Sequence, residues 1–238
     1  MLNQNSLEEI AEIYNLLVDI KKEYEDGIKP ILIQNSPKFF SNPHSVPKLK
    51  KIQINRGLGL AAQNTNLLKK NIDEFERITG QKPIVTKSKK AIAGFKIREE
   101  MELGLSINLR GEKMYQFLTK LLFFTFTQIR DFGGLSLRSF DKAGNYTLGL
   151  KEQLIFPEVD YDQVDQTQGC TITIVFDHNS PKFRNESIDK ILNGMILLKF
   201  LRFPLNDCGY YDKYDSFSEI NRAWDKKRHL KRKRWSQE

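Results

Sequence analysis

The chain has 238 residues, of which 39% are hydrophobic and 29% charged, a composition that describes one good core with appendages, or at most two small domains, and excludes a disordered or membrane-embedded chain. Its 38 basic residues against 30 acidic give a net charge of +8, which directs attention to a polyanion, either nucleic acid or an anionic membrane surface. Cys170 and Cys208 are far apart and have no CxxC spacing, so neither a disulfide framework nor a zinc knuckle is indicated and a reducing compartment is expected.

In chain order, the opening MLNQNSLEEIAE has no basic or apolar leader pattern, so it does not read as a signal or transit peptide. Ser6 and Glu9 have capping-box spacing, and Leu7, Ile10, Ile13, Leu17, Ile20 and Tyr24 recur at helical intervals, which predicts an amphipathic helix ending at Gly27. Asn35 to Pro47 reads as a loop or linker. In Lys50 to Arg56, Ile52 and Ile54 alternate with Lys51, Gln53 and Asn55, the pattern of a half-buried strand with a row of donors and acceptors on its wet face. Thr65 to Thr79 carries Leu67, Leu68, Ile72, Phe75 and Ile78 at helical spacing, with Gly80 suited to the residue after the cap.

Gly80 to Arg98, GQKPIVTKSKKAIAGFKIR, is the most pointed stretch. Lys82, Lys87, Lys89, Lys90, Lys96 and Arg98 fall there without an acid, concentrating positive field rather than forming a mixed-charge face. The expectation is a flexible basic prong, with Ile84, Val85, Ile92, Phe95 and Ile97 forming two strand ends that hold the loop. Met101, Leu103, Leu105, Ile107 and Leu109 then alternate with polar residues including Ser106, Asn108 and Arg110, the clearest strand in the chain. Glu112 to Phe126 reads as a core helix. Turn signals at Gly133-Gly134 and Gly144-Asn145 mark a loop-rich region, Cys170 to Phe176 is another strand, and Ser187 to Phe203 is a packed helix stopped by Pro204. Strands separated by helices whose apolar faces point one way predict an α+β sandwich with one open sheet face. The apolar runs Leu121 to Phe126 and Met195 to Leu198 with its flanks fall far short of the roughly 20 residues a membrane span needs. After Leu205 the texture turns basic: Lys226, Lys227, Arg228, Lys231, Arg232, Lys233 and Arg234, with Trp224 and Trp235 interleaved, make a tail suited to phosphates and base stacking.

Catalytic readings find little support. His44 lies in a Pro-rich loop, His178 at a strand exit and His229 in the basic tail, surface or structural positions where a base without a partner contributes little, and no metal or cofactor is expected. Asp131-Phe132-Gly133 imitates a kinase triplet without the accompanying phosphate loop. Gly57 and Gly59 are a turn more readily than a phosphate cradle, and Asp160, Asp162 and Asp165 lack calcium-loop spacing.

The segments KIQINRGLG, ITGQKPIVTKSKKAIAGFKIRE, LRGEKMYQFL, IRDFGGLSLRSFDKAGNYTLGLKEQLIFPEVDYD and TITIVF, almost continuous from Val46 to Phe176, closely resemble the universal large-subunit ribosomal protein five family in its bacterial and organellar branch. That resemblance implies an α+β fold: an antiparallel or mixed sheet, helices on one face, an open RNA-binding face and a long basic loop. It implies a non-enzymatic protein of the central protuberance that binds 5S rRNA, touches large-subunit rRNA and neighbouring proteins, and bridges to the small-subunit head. It assigns Asn55 and Gln81 to 5S rRNA, and places the prong, through Lys87, Lys89, Lys90, Gly94, Phe95, Lys96 and Arg98, at the elbow of the P-site tRNA. Asn108 stands where the family usually has threonine, a longer side chain that keeps hydrogen-bonding ability. Beside that resemblance, Lys51, Gln53 and Asn55 with Ser106, Asn108 and Arg110 offer positioning contacts to phosphate and sugar, and no aromatic signature of base stacking is present on either strand. Residues 1–45 are expected to form an N-terminal extension, 46–204 the RNA-binding domain and 205–238 a basic extension. The alternatives are an adaptor working through the tail or an enzyme acting on RNA, the latter without a candidate base. The bias toward Lys, Asn, Ile and Phe suggests an AT-rich coding sequence; with the absent transit-peptide pattern and the family resemblance, it makes an organelle-encoded protein of the chloroplast ribosome the expected origin, with a bacterial cytoplasm as the alternative.

Overall fold

Alternation along the strands decides which way this sheet faces. Strand β1, Lys48–Gly57, turns Leu49, Ile52, Ile54 and Arg56 inward and leaves Lys51, Gln53 and Asn55 on the opposite face, a bulge between Leu49 and Lys51 resetting the parity. The computed structural model describes residues 20–35, 44, 46–59, 64–159, 161, 164, 166–177 and 187–206. The basic tail, Cys208, His178, His229, Asp160, Asp162, Asp165 and the first part of the predicted N-terminal helix lie outside these residues.

In chain order the described elements are helix α1 (residues 20–35), β1, helix α2 (Thr65–Thr79), strand β2 (Ile84–Lys87), strand β3 (Glu102–Leu109), helix α3 (residues 112–128), strand β4 (Tyr146–Leu150), strand β5 (Cys170–Asp177) and helix α4 (Ser187–Phe200). Among the described residues the strands form one five-stranded sheet in the order β2-β3-β1-β5-β4. Every pairing is antiparallel, so the mixed alternative drops out.

The helices share one side. Leu68, Phe75 and Ile78 of α2, Met114, Phe117, Leu118 and Leu121 of α3, and Leu197 and Leu198 of α4 are buried against Ile52, Leu105, Ile107, Leu109, Ile172 and Ile174 of the strands. Each such aliphatic side chain contributes about 1.5–3 kcal/mol by leaving water, so moving a helix to the other face would strand apolar area on both elements. An antiparallel sheet tolerates a wet second face because its strands alternate, and these do. Residues 141–145 aim β4: the Asp141 carboxylate accepts from the Ala143 and Asn145 backbone N–H groups at 2.9 and 2.7 Å, and Asn145 Oδ1 accepts from Phe176 N–H at 3.3 Å.

Helix α1 does not stop at Gly27. It continues to Asn35 through a widened turn over Glu23–Ile28, placed just before Pro30, whose ring would otherwise crowd the carbonyl four residues back. Tertiary burial outweighs the glycine's weak propensity: Ile20, Tyr24, Ile28 and Leu32 join the same core as the sheet. The Tyr24 hydroxyl donates to Pro47 O at 2.9 Å, and Arg202 pairs with Glu23 at 2.9 Å.

Candidate nucleic-acid interface

Strand register assembles the open face row by row. In one row Thr147, Thr173, Gln53 and Asn108 lie side by side across β4, β5, β1 and β3; in the next, Gly149, Thr171, Asn55, Ser106 and Ile84 span all five strands. Rows of this kind repeat about 4.8 Å across strands and about 6.7 Å along them, so Thr147 to Asn108 spans about 14 Å. Asn55, Asn108 and Thr171 are exposed, while Lys51, Gln53, Ser106 and Thr173 are half-buried by their neighbours. Arg110, just past β3, is exposed.

Gln81 arrives from the helix layer. Gly80, in the left-handed conformation at φ 65°, ends α2 with its N–H donating to Glu76 O at 2.8 Å, a backbone position that suits glycine because it lacks Cβ. Lys113 and Lys120 of α3 donate to Gly80 O and Ile78 O at 2.7 and 2.8 Å, satisfying carbonyls at the negative end of α2. Gln81 Nε2 then reaches the Asn108 carbonyl at 3.4 Å, beyond the point where β2 begins to pair with β3. Gln81 thus reaches β3 at Asn108, the register partner of Gln53 on β1.

Directly behind Asn55 lies Arg56, fully buried on the helix side. Its Nη1 donates to Asn71 Oδ1 at 2.8 Å, both terminal nitrogens lie 3.2 Å from Glu74 Oε1, and the guanidinium sits 4.1 Å over the Phe75 ring. Burial pushes the Glu74 carboxyl up, with Arg56 opposing that shift, and pushes the neighbouring Cys170 thiol up to about 11. Cys170 is therefore an inert core thiol.

The prong is a hairpin held by backbone hydrogen bonds. At its base Ser88 N–H donates to Met101 O at 2.8 Å and Glu100 N–H to Ser88 O at 3.0 Å; further out, Ile92 and Ile97 exchange backbone bonds of 2.9 and 3.1 Å. Ala93–Phe95 makes the tip, closed by Lys96 at φ 55°. Lys87, Lys89, Lys90, Gly94, Lys96 and Arg98 are exposed. Three of the residues expected to anchor the loop are exposed instead: Phe95 is 69% exposed at the tip, Ile84 65% on the open face and Ile92 47%. The anchoring comes from backbone pairing, with Val85 and Ile97 partly covered.

Of the other sequence candidates, those among the described residues sit in turns, on the surface or in packing contacts. Gly57 ends β1 opposite Gly104, and Gly59 adopts φ 55° as a turn residue. His44 and Asp131 are exposed, and Phe132 stacks on Phe126 at 5.4 Å. Among the described residues no cluster of His, Cys, Asp and Glu is arranged to hold a metal ion, and no helix is long and apolar enough to cross a membrane. Strands β4 and β5 add Thr147, Thr171 and Thr173 to the face, beyond the residues singled out from sequence. The alternation in Cys170 to Phe176 was the available signal for two of them, but only strand order sets them beside Gln53 and Asn55.

The family model described as ribosomal protein L5 matches residues 42–98, and the model for the C-terminus of that same ribosomal family matches residues 102–205. The chain belongs to the ribosomal protein L5 family. Together the two L5 segments take in all five strands and both legs of the prong, and meet on its return leg. The large ribosomal subunit protein uL5c of Phaeodactylum tricornutum is 84% identical over 238 residues, covering both chains completely, and that of Thalassiosira pseudonana is 74% identical over the same span. The large ribosomal subunit protein uL5 of a Synechococcus strain is 51% identical over 158 residues, 66% of this chain and 87% of the cyanobacterial one. L5 proteins are structural and non-enzymatic, which removes the RNA-acting enzyme from consideration. Helix α1 lies ahead of both matched L5 segments.

Proposed function

We propose that the open sheet face holds 5S rRNA, through Asn55, Gln81, Gln53 and Asn108 with Lys51 and Arg110 flanking, and that the basic hairpin reaches the elbow of the P-site tRNA. The broader frame is firm: the chain is a structural protein of the large subunit of a chloroplast ribosome, as its full-length diatom relatives of the uL5c type are. One observation supports the finer reading above all. Gln81, 26 positions after Asn55 in sequence, is brought to the Asn108 carbonyl, next to the Gln53 to Asn108 pair, which supports a shared role for the two positions that the family resemblance assigns to 5S rRNA. Amides and hydroxyls fixed on a sheet suit shape and sugar-backbone recognition, the usual mode for structured RNA. In the same reading, large-subunit rRNA, central-protuberance proteins and the small-subunit head are further neighbours, and the basic tail, Lys226 to Arg234, adds phosphate contacts.

The test is binding of the full chain to 5S rRNA transcribed in vitro. Asn55→Ala and Gln81→Ala are each expected to weaken binding about tenfold, the loss of one or two hydrogen bonds in a desolvated contact. Unchanged affinity in both would remove the sheet face from the 5S site.

A further inference from the structure

The open face has two chemically distinct halves. On β1 and β3 it presents amides with a lysine and an arginine at the margins, Lys51 and Arg110; on β4 and β5 it presents Thr147, Thr171, Thr173, Val175 and the bare backbone of Gly149, a neutral stretch that ends only at Asp177, the last residue of β5. The Thr147 and Thr173 hydroxyls lie 3.2 Å apart and share a hydrogen bond. One of the two must donate to the other, so the pair retains one outward proton together with free lone pairs and presents both a donor and an acceptor to a ligand. Thr173 is register partner to Gln53 and Thr171 to Asn55, so the threonines continue the amide rows without a step. Next to Thr171, a side chain added at Gly149 would meet nothing within 4 Å, so the bare backbone there is open to the close approach of a sugar.

A phosphate oxygen only accepts hydrogen bonds and is best met by charged donors; a ribose 2′-hydroxyl both donates and accepts, and distinguishes RNA from DNA. A neutral row of hydroxyls can donate to either, but it matches the second, which needs an acceptor as well as a donor, better than the first. We propose that Thr147, Thr171 and Thr173 contact ribose 2′-hydroxyls of the RNA strand lying across the face, so that this half of the sheet senses sugar identity while the amide half fixes position. This rests on the sheet face being the RNA site.

The experiment uses the full chain, 5S rRNA, and a set of 5S rRNAs each carrying 2′-deoxy sugars in one segment. Thr171→Val with Thr173→Val keeps β-branching and removes two hydroxyls; it is expected to weaken binding to all-ribose RNA about tenfold, from two net hydrogen bonds, while Thr171→Ser with Thr173→Ser restores it. For one deoxy segment, wild-type binding should fall by a similar factor and the valine variant should fall no further. Valine variants binding within about twofold of wild type, serine failing to rescue, or losses that multiply on every deoxy segment would each overturn the assignment. Asn55→Ala run in parallel separates the failures: if it weakens binding while the valine variant does not, only this inference falls, and if neither does, the sheet face itself is not the RNA site.

Discussion

Asn55 and Arg56 are neighbours with opposite duties. The two-residue period of β1 sends the asparagine to the open face and the arginine into the helix layer. The first was legible from alternation; the second was not, because the groups that make a buried guanidinium tolerable, Asn71 and Glu74, lie 15 and 18 positions away on α2. A buried pair is costly to break on one side and cheap to replace whole. Arg56→Met is therefore expected to destabilise the fold by about 3 kcal/mol, by leaving a buried carboxylate unpaired, and adding Glu74→Leu should recover most of that loss. Urea unfolding of the two variants measures both; equal destabilisation in the single and double variants would show that Arg56 acts through Phe75 and packing instead.

At the scale of elements, the prong and α1 show where local reading stops. The run of cations from Lys82 to Arg98 and the strand ends that hold it were plain in the sequence, but the backbone pairing between Ile92 and Ile97 that carries the hairpin well past β2 was not. A preformed hairpin loses less conformational entropy on binding than a loop that must first be ordered. Replacing Lys87, Lys89, Lys90 and Lys96 with alanine is expected to leave 5S rRNA affinity within about twofold, since three of them lie beyond the sheet and Lys87 ends β2 opposite Glu102, at the far end of β3 from Asn108, and to impair tRNA placement on assembled ribosomes, read by toe-printing or tRNA footprinting. Loss of 5S binding instead would move the prong into the 5S site. Helix α1 was legible as an amphipathic segment up to Gly27, and its continuation to Asn35 depends on burial of Ile28 and Leu32, which no local propensity registers.

For the molecule as a whole, the charged and neutral surfaces divide the work. Sheet-face recognition by amides and hydroxyls releases few counterions, whereas each prong cation meeting a phosphate adds to the salt dependence. If all six cations of the prong met phosphates, binding to the ribosomal particle would follow a log-log salt slope of roughly −4 to −5, and the four-lysine variant should flatten it by about 3. Identical slopes for the variant and the wild type would mean that the prong touches something other than phosphate.

What the residues determined by themselves was everything with a short period: strand alternation in β1, β3 and β5, the helical spacing of α2 and α3, the cationic run of the prong, and the family wording spread over Val46 to Phe176. Such patterns register within a few residues because side-chain direction follows backbone geometry directly. The tertiary structure alone decided the strand order β2-β3-β1-β5-β4, and with it the meeting of Gln81 with Asn108, the threonine rows beside Gln53 and Asn55, and the burial of Arg56. These depend on which strands exchange backbone hydrogen bonds across long loops, a choice set by how the whole apolar surface is hidden from water.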